Sequence, residues 1–374
     1  MPSKMPSEKY VENSDAKEIK LLIKYVENGN LKEIKSLMNM KNNQLKENIL
    51  HKDKCGRSLL YKACSYNHIE IVKWFIILCK DKLHDKTYIM ERDILDNNML
   101  CHAIMNMNIE MVQLLIENGN LQKEDILKRD RNGCSALHKA FSYNCIEIVN
   151  LLIELCNINN LTIYNAVQKE DIIGQNNHET TSLHEACKIG NIEIVNLLLE
   201  LYANKSNVLQ KEYIMMKDVT NKTAFYYAAC TSGNIELVKL LIEKGNLQKE
   251  DIMMKIQGKR TILYHACMYG YTEFVELLLT SCGKDNLQKE DILTTDSNGQ
   301  SALFIASYYG FYEIVDMLIT MCCNGNLQKE DIMIEDRYDN TAYNVANVHI
   351  KQLFINAMFR KDINDIITYI AQTI

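Results

Sequence analysis

"GNIEIVNLLLE" occupies residues 190–200, and its outline returns six more times along the chain. The other copies are "HIEIVKW" (68–74), "NIEMVQL" (108–114), "CIEIVNL" (145–151), "NIELVKL" (234–240), "YTEFVEL" (271–277) and "FYEIVDM" (311–317). Their central glutamates, Glu70, Glu110, Glu147, Glu193, Glu236, Glu273 and Glu313, stand 40, 37, 46, 43, 37 and 40 residues apart. Each copy reads as a helix with a wide apolar face, which a lone helical pair cannot hide. A unit of this length repeated seven times implies an array in which each copy is covered by its neighbours.

Working outward from the glutamate, a turn-type residue stands 17 positions before it: Asp53, Asp93, Asp130 and Asp296, with Asn176 and Ile256 in the same slot. Asp218 lies 18 back, so its repeat carries one extra residue. Gly133 and Gly299 supply the positive φ that such turns want. Ser135, Thr181, Thr223, Thr261, Ser301 and Thr341 come next as N-caps of a short first helix. That helix ends where a left-handed residue fits, at Asn67, Asn144, Gly190, Gly233, Gly270 and Gly310. Met107 fills the same slot in the second repeat.

Ten residues before the turn lies "NLQKEDI", perfect at 120–126, 246–252, 286–292 and 326–332. Worn copies lie at 43–49, 83–89, 166–172 and 208–214. Apart from that one residue after Asp218, the variation in repeat length falls between the "IEIV" helix and this motif. The motif is therefore rigidly tied to the turn and helix on its C-terminal side, as a joint is. The reading is a single helical turn leading into the arm of a β-hairpin finger. Leu121 and Ile126 tuck inward, and Gln122, Lys123, Glu124 and Asp125 face water. The alternative is a repeated binding surface of mixed charge.

Together these residues resemble the ankyrin repeat. "SALHKA" (135–140) and "TSLHEA" (181–186) match the start of its first helix, and "GNIEIVNLLLE" its second. The resemblance covers roughly residues 43–355. The family's helix-start proline is missing throughout, replaced by Leu59, Ala136, Ser182 and Ile262 among others, and the repeats are longer than usual. It implies an all-α fold with short β-hairpin fingers, an α-solenoid of stacked ankyrin-like helix-turn-helix repeats. The expected division is a polar N-terminus and capping helix pair over 1–42, about eight repeats over 43–348, and C-terminal capping helices over 349–374. The second helix of the last repeat reads as displaced and irregular.

Composition excludes several functions. The chain has 374 residues, 47% of them apolar, and a net charge of −6, against a protein built to neutralise phosphates. No apolar run approaches the ~18 residues of a membrane span, and no signal-peptide core opens the chain. Localisation is therefore expected to be cytoplasmic, with secretion lacking a cleaved signal as the alternative. The 13 cysteines include no CxxC pair and no ligand cluster. Cys64, Cys187, Cys230 and Cys267 share one repeat position and read as buried fillers.

His138 and His184 occupy a slot that elsewhere holds Tyr61, Cys101, Tyr226, Tyr264 or Phe304, which marks it as structural. "GKRT" (258–261) lacks the upstream glycine of a phosphate loop. No catalytic constellation is visible, so no enzyme activity and no cofactor are expected.

The candidate site is the row just before the left-handed residue, which the resemblance places on the concave face. Partner-binding residues there are Tyr66, Met105, Tyr143, Ile189, Tyr269, Tyr308 and Tyr309. Tyrosine offers a large contact area at low entropic cost. The reading is a monomeric, non-catalytic protein–protein scaffold that engages neither nucleic acid nor membrane. An Asn/Ile/Lys-rich composition admits the alternative of a microbial effector delivered into a host cell.

Overall fold

The structure is a computed structural model that describes residues 14–40, 49–50, 52–79, 86–157, 174–203, 207–281, 289–324 and 329–357. It divides into two compact units, Met1–Asp171 and Ile172–Ile374. Both units are all-α and use the same two-helix repeat.

The first unit opens with the expected helix pair, Ser14–Glu27 and Leu31–Met40, and the first of these packs on the first helix of the next repeat, Leu59–Ser65. Three repeats make up this unit, with first helices at Leu59–Ser65, Met99–Met105 and Ala136–Ser142 and second helices at Ile69–Leu78, Ile109–Gly119 and Ile146–Asn157. In the second unit the first helices are Ser182–Ile189, Ala224–Tyr227 with its extension to Ser232, Ile262–Tyr269, Ala302–Tyr309 and Ala342–Val345. Within each unit, like helices of successive repeats pack side by side.

The period in the sequence becomes a set of core ladders. Val72, Val112 and Val149 in the first unit, and Val195, Val238, Val275 and Val315 in the second, are at most 1% exposed. Phe75, Leu115 and Leu152, then Leu198, Leu241, Leu278 and Leu318, are fully buried one turn later. Burying each such side chain is worth about 1.5–3 kcal/mol. That is the driving force for stacking.

Every expected N-cap is in place: Ser135, Thr181, Thr223, Thr261, Ser301 and Thr341 each accept the N–H three residues on. Ser58 and Asn98, not foreseen, do the same in the first two repeats. The fingers are Asx turns in which Asp Oδ1 accepts the N–H groups two and four residues on, as at Asp53, Asp93, Asp130, Asp218, Asp296 and Asp336. Their hairpin character is reduced to single bridges, Lys217 with Thr223 and Thr295 with Ser301.

Two irregularities of spacing acquire a shape. The extra residue after Asp218 is absorbed as a π-turn over Ala228–Ser232, so the helix still reaches its left-handed end at Gly233, φ 63°. The last repeat corrects the expectation of an irregular second helix. Residues 348–357 form a regular helix, with Asn347 Oδ1 accepting the Ile350 N–H as its cap. What is missing is one turn of the first helix, which stops at Val345. The proposed closing helix over 363–372 lies outside the described residues.

Candidate interaction surface

The heptapeptide is a joint, and its letters divide the labour. In the copies at 120–126 and 246–252 the leading asparagine takes φ 45° and 44° and ends the preceding second helix. Leu121 and Leu247 are 1% and 4% exposed, and Ile126 and Ile252 are buried completely. Asp125 and Asp251 reach back to accept the N–H of Gln122 at 2.9 Å and Gln248 at 2.8 Å, closing a capping box.

The lysine and aspartate depart from the expectation that they face water. Lys86 bridges to Asp125 at 2.9 Å, Lys211 to Asp251 at 2.6 Å, Lys249 to Asp291 at 2.6 Å and Lys289 to Asp331 at 2.5 Å. Each bridge runs from the lysine of one junction to the aspartate of the next. At Asp125 and Asp251 one oxygen, Oδ2, accepts both the cap N–H and the ammonium of the preceding junction, so the cap holds it where the lysine meets it. Gln122 and Glu124 are exposed as expected.

The helix-start histidines brace as expected. His184 Nδ1 accepts the Thr181 N–H at 3.2 Å, which leaves the Nε2 proton to donate to the Met216 carbonyl of the next repeat at 3.0 Å. Burial, outweighing the pull of Asp218, holds its pKa below the ordinary value. Tyr61 does the same work in the first unit, donating to Asp93 Oδ2 at 2.8 Å and accepting from His102 Nε2 at 2.7 Å. Burial and the Asp93 carboxylate keep the Tyr61 hydroxyl protonated far above its usual range. The cysteine fillers are buried, and desolvation raises the thiol pKa of Cys64, Cys187, Cys230 and Cys267.

The candidate partner-binding residues all fall at first-helix ends. In the first unit Tyr66 is 52% and Tyr143 39% exposed, whereas Met105 is half-buried. Tyr66 stacks on His68 at 6.3 Å. In the second unit Ile189 is 43%, Tyr269 52%, Tyr308 59% and Tyr309 52% exposed. Here the sequence reading missed the partners that hold the rings. Tyr269 stacks on Tyr271 at 5.7 Å, and Tyr309 on Phe311 at 6.0 Å. These aromatics flank the left-handed glycines Gly270 and Gly310, so the "YGY" and "YGF" triplets were the available signal.

The glycines also admit the next repeat. A Cβ on Gly270 would meet the Phe311 ring at 2.7 Å, and one on Gly233 would touch Tyr271 at 3.7 Å. Beneath Tyr269 lies His265, 7% exposed, with neither ring nitrogen hydrogen-bonded. Tyr226, Tyr264 and Tyr269 enclose it at 5.5, 5.9 and 6.3 Å. Desolvation, helped by Arg260 and Lys222, lowers its pKa to about 4.

Among the described residues no group of three His, Cys, Asp or Glu side chains is placed to hold a metal ion. No described helix is long and apolar enough to cross a membrane. The model for "Ankyrin repeats (3 copies)" matches residues 78–162, 160–251 and 247–331, and that for "Ankyrin repeats (many copies)" matches 22–76. The chain belongs to the ankyrin repeat family. No curated protein matches it. Among solved structures it is similar to the ankyrin repeat domain of Bcl-3, described as a unique member of the IkappaB protein family. That match has 21% identity and a TM-score of 0.45, and covers 68% of this chain and 96% of the other. Ankyrin repeat proteins generally act as protein–protein interaction scaffolds and are typically non-catalytic.

Proposed function

We propose that this ankyrin repeat protein is a non-catalytic, cytoplasmic scaffold that binds a protein partner through the ends of its first helices and the adjoining fingers. The observation that carries the reading is the ring row of the second unit, where Tyr269, Tyr308 and Tyr309 are each more than half exposed yet fixed by neighbouring rings. Rings already ordered lose little entropy on binding, so exposed aromatic area translates into affinity. Tyr66 and Tyr143 offer a corresponding but sparser row in the first unit.

Affinity capture from source-cell lysate tests this with the intact protein beside Tyr269→Ser/Tyr308→Ser/Tyr309→Ser and Tyr66→Ser/Tyr143→Ser variants. A partner retained by the intact chain and lost from a still-folded variant assigns the site to that unit. Retention by both variants would remove the first-helix ends from the interface. The Asn/Ile/Lys-rich composition supports a second reading, delivery of the same scaffold into a host cell, for which the protein would be found in culture supernatant.

A further inference from the structure

The exposed ring row of the second unit sits in an electrostatic setting that the earlier repeats avoid. In most second helices the residue three after the conserved glutamate neutralises or ignores it. Lys73 bridges to Glu70 at 3.0 Å and Lys239 to Glu236 at 3.1 Å, while Gln113, Asn150 and Asn196 fill the slot elsewhere. In the next two repeats the slot turns acidic, giving Glu273 with Glu276 and Glu313 with Asp316. All four are exposed, and neither second helix, Thr272–Ser281 or Tyr312–Asn324, contains a lysine or arginine. Like charges one turn apart disfavour a helix by a few tenths of a kcal/mol. Glu273 and Glu313 sit in the first turn, where the helix dipole favours them, so Glu276 and Asp316 are the pair the helices gain nothing from.

The same corners carry the rings. Tyr308 meets Tyr309 edge-on at 5.2 Å, Tyr309 stacks on Phe311, and Phe311 lies against Gly270 beside the Tyr269–Tyr271 stack. Tyr312 adds a further ring at 47% exposure. Between successive corners runs a cleft of about 310 Å³ bounded by Gly233, Gly270, Tyr271 and Glu273. The nearby cations of the unit are already engaged, Lys222 over the Tyr226 and Tyr227 rings and Arg260 with Asp296 and the Tyr264 ring. The second unit as a whole has 18 Lys and Arg against 25 Asp and Glu, a net charge of −7, whereas the first unit has 24 against 23.

We infer that this surface receives a basic, extended segment of the partner, with arginine side chains laid on the exposed tyrosines and their charge met by Glu273, Glu276, Glu313 and Asp316. Guanidinium suits the site better than ammonium because it stacks flat on a ring while donating to a carboxylate. Successive repeats place equivalent groups about 10 Å apart, as packed helices do. A polyproline II chain rises about 9 Å per three-residue turn and returns every third side chain to one face, so the matching segment carries arginine at every third position. The inference rests on the reading that the first-helix ends bind a partner.

The test is fluorescence anisotropy of the full chain with a labelled proline-rich peptide carrying arginine at every third position. Beside it run the same peptide with lysine, with glutamate, and with the arginines clustered. Saturable binding is expected for the spaced arginine peptide. It should weaken on adding salt, and fall about tenfold or more for a Glu273→Gln/Glu276→Gln/Glu313→Gln/Asp316→Asn variant and for Tyr269→Ser/Tyr309→Ser. All six positions are exposed, so circular dichroism should show both variants folded. No saturable binding of the arginine peptide, or equal binding by the neutralised variant, overturns the inference. Lysate capture separates the two levels. A partner lost with the tyrosines but kept by the neutralised variant leaves the scaffold reading standing and removes the basic segment. A partner kept by both removes the second unit's rings from the interface and the basic segment with them.

Discussion

At the scale of single residues, the chain tolerates two positions that a minimal-energy design would avoid, and each predicts a measurement. His265 is neutral because the aromatic enclosure desolvates it, and its pKa falls from the ordinary 6.5 to about 4. The unfolded chain therefore binds a proton that the folded one refuses between those values, and stability drops as pH falls through that window while staying flat above it. His265→Phe keeps the ring and removes the proton. Its unfolding free energy, from urea titrations, should fall less than the parent's between pH 7 and pH 4.5, by an amount on the order of 2 kcal/mol. His102 and His184 have lowered values for the same reason, burial, so a smaller pH dependence will persist in the variant. Met107 sits at φ 52° with its side chain 56% exposed, holding a slot that four repeats of the second unit give to glycine with a left-handed φ of 63–87°. Met107→Gly should raise the denaturant midpoint, by the equivalent of about 1 kcal/mol of stability, since it relieves left-handed strain and gives up little packing.

At the scale of elements, the junction turn and the π-turn are the parts that the sequence showed without explaining. Spacing established that "NLQKEDI" moves with the finger after it, and the Leu and Ile were readable as core from polarity. The Lys–Asp bridge was not readable, because it joins residues about 40 positions apart whose letters are individually ordinary surface residues. The same holds for the extra residue after Asp218. Counting detected it, but only the backbone showed that it lies inside the helix at Ala228–Ser232 and not in the turn. The ring row was half legible: exposure of the tyrosines followed from their place before the left-handed residue, while the stacking of Tyr271 and Phe311 on them lay unread in the "YGY" and "YGF" triplets. Two experiments belong here. Asp251→Ala removes both the capping-box acceptor and the Lys211 bridge and should cost about 1–2 kcal/mol, whereas Lys211→Ala removes only a bridge from a 40% exposed lysine and should cost less than about 1 kcal/mol. Deleting Ala229 should return its helix to an α register and leave the chain folded. Deleting Ala266 from the regular helix of the next repeat should lower the unfolding midpoint far more.

At the scale of the whole molecule, stability is a sum of repeat and neighbour terms, because each repeat is covered mainly by the next. The valine and leucine ladders are those neighbour terms made visible. Leu241→Ala, at a fully buried rung, should therefore cost about 2–5 kcal/mol. Hydrogen exchange should report the loss first in the repeats flanking Leu241 within the second unit, with the first unit protected as before. The two units also differ in charge, so added salt should stabilise the acidic second unit more than the nearly neutral first by screening its self-repulsion.

The bridges between junctions have a direction, lysine toward the following aspartate, and every perfect copy offers both halves. Any two such copies are thus interchangeable as seams. Excising residues 246–285 would rejoin an identical heptapeptide to the Thr223 repeat, with Lys211 facing Asp291 in place of Asp251. A gene carrying these identical stretches can gain or lose one repeat by misaligned recombination and still encode a chain whose every seam closes. The length of the array, and with it the extent of surface offered to a partner, is then open to change in whole-repeat steps without passing through an unfolded ancestor.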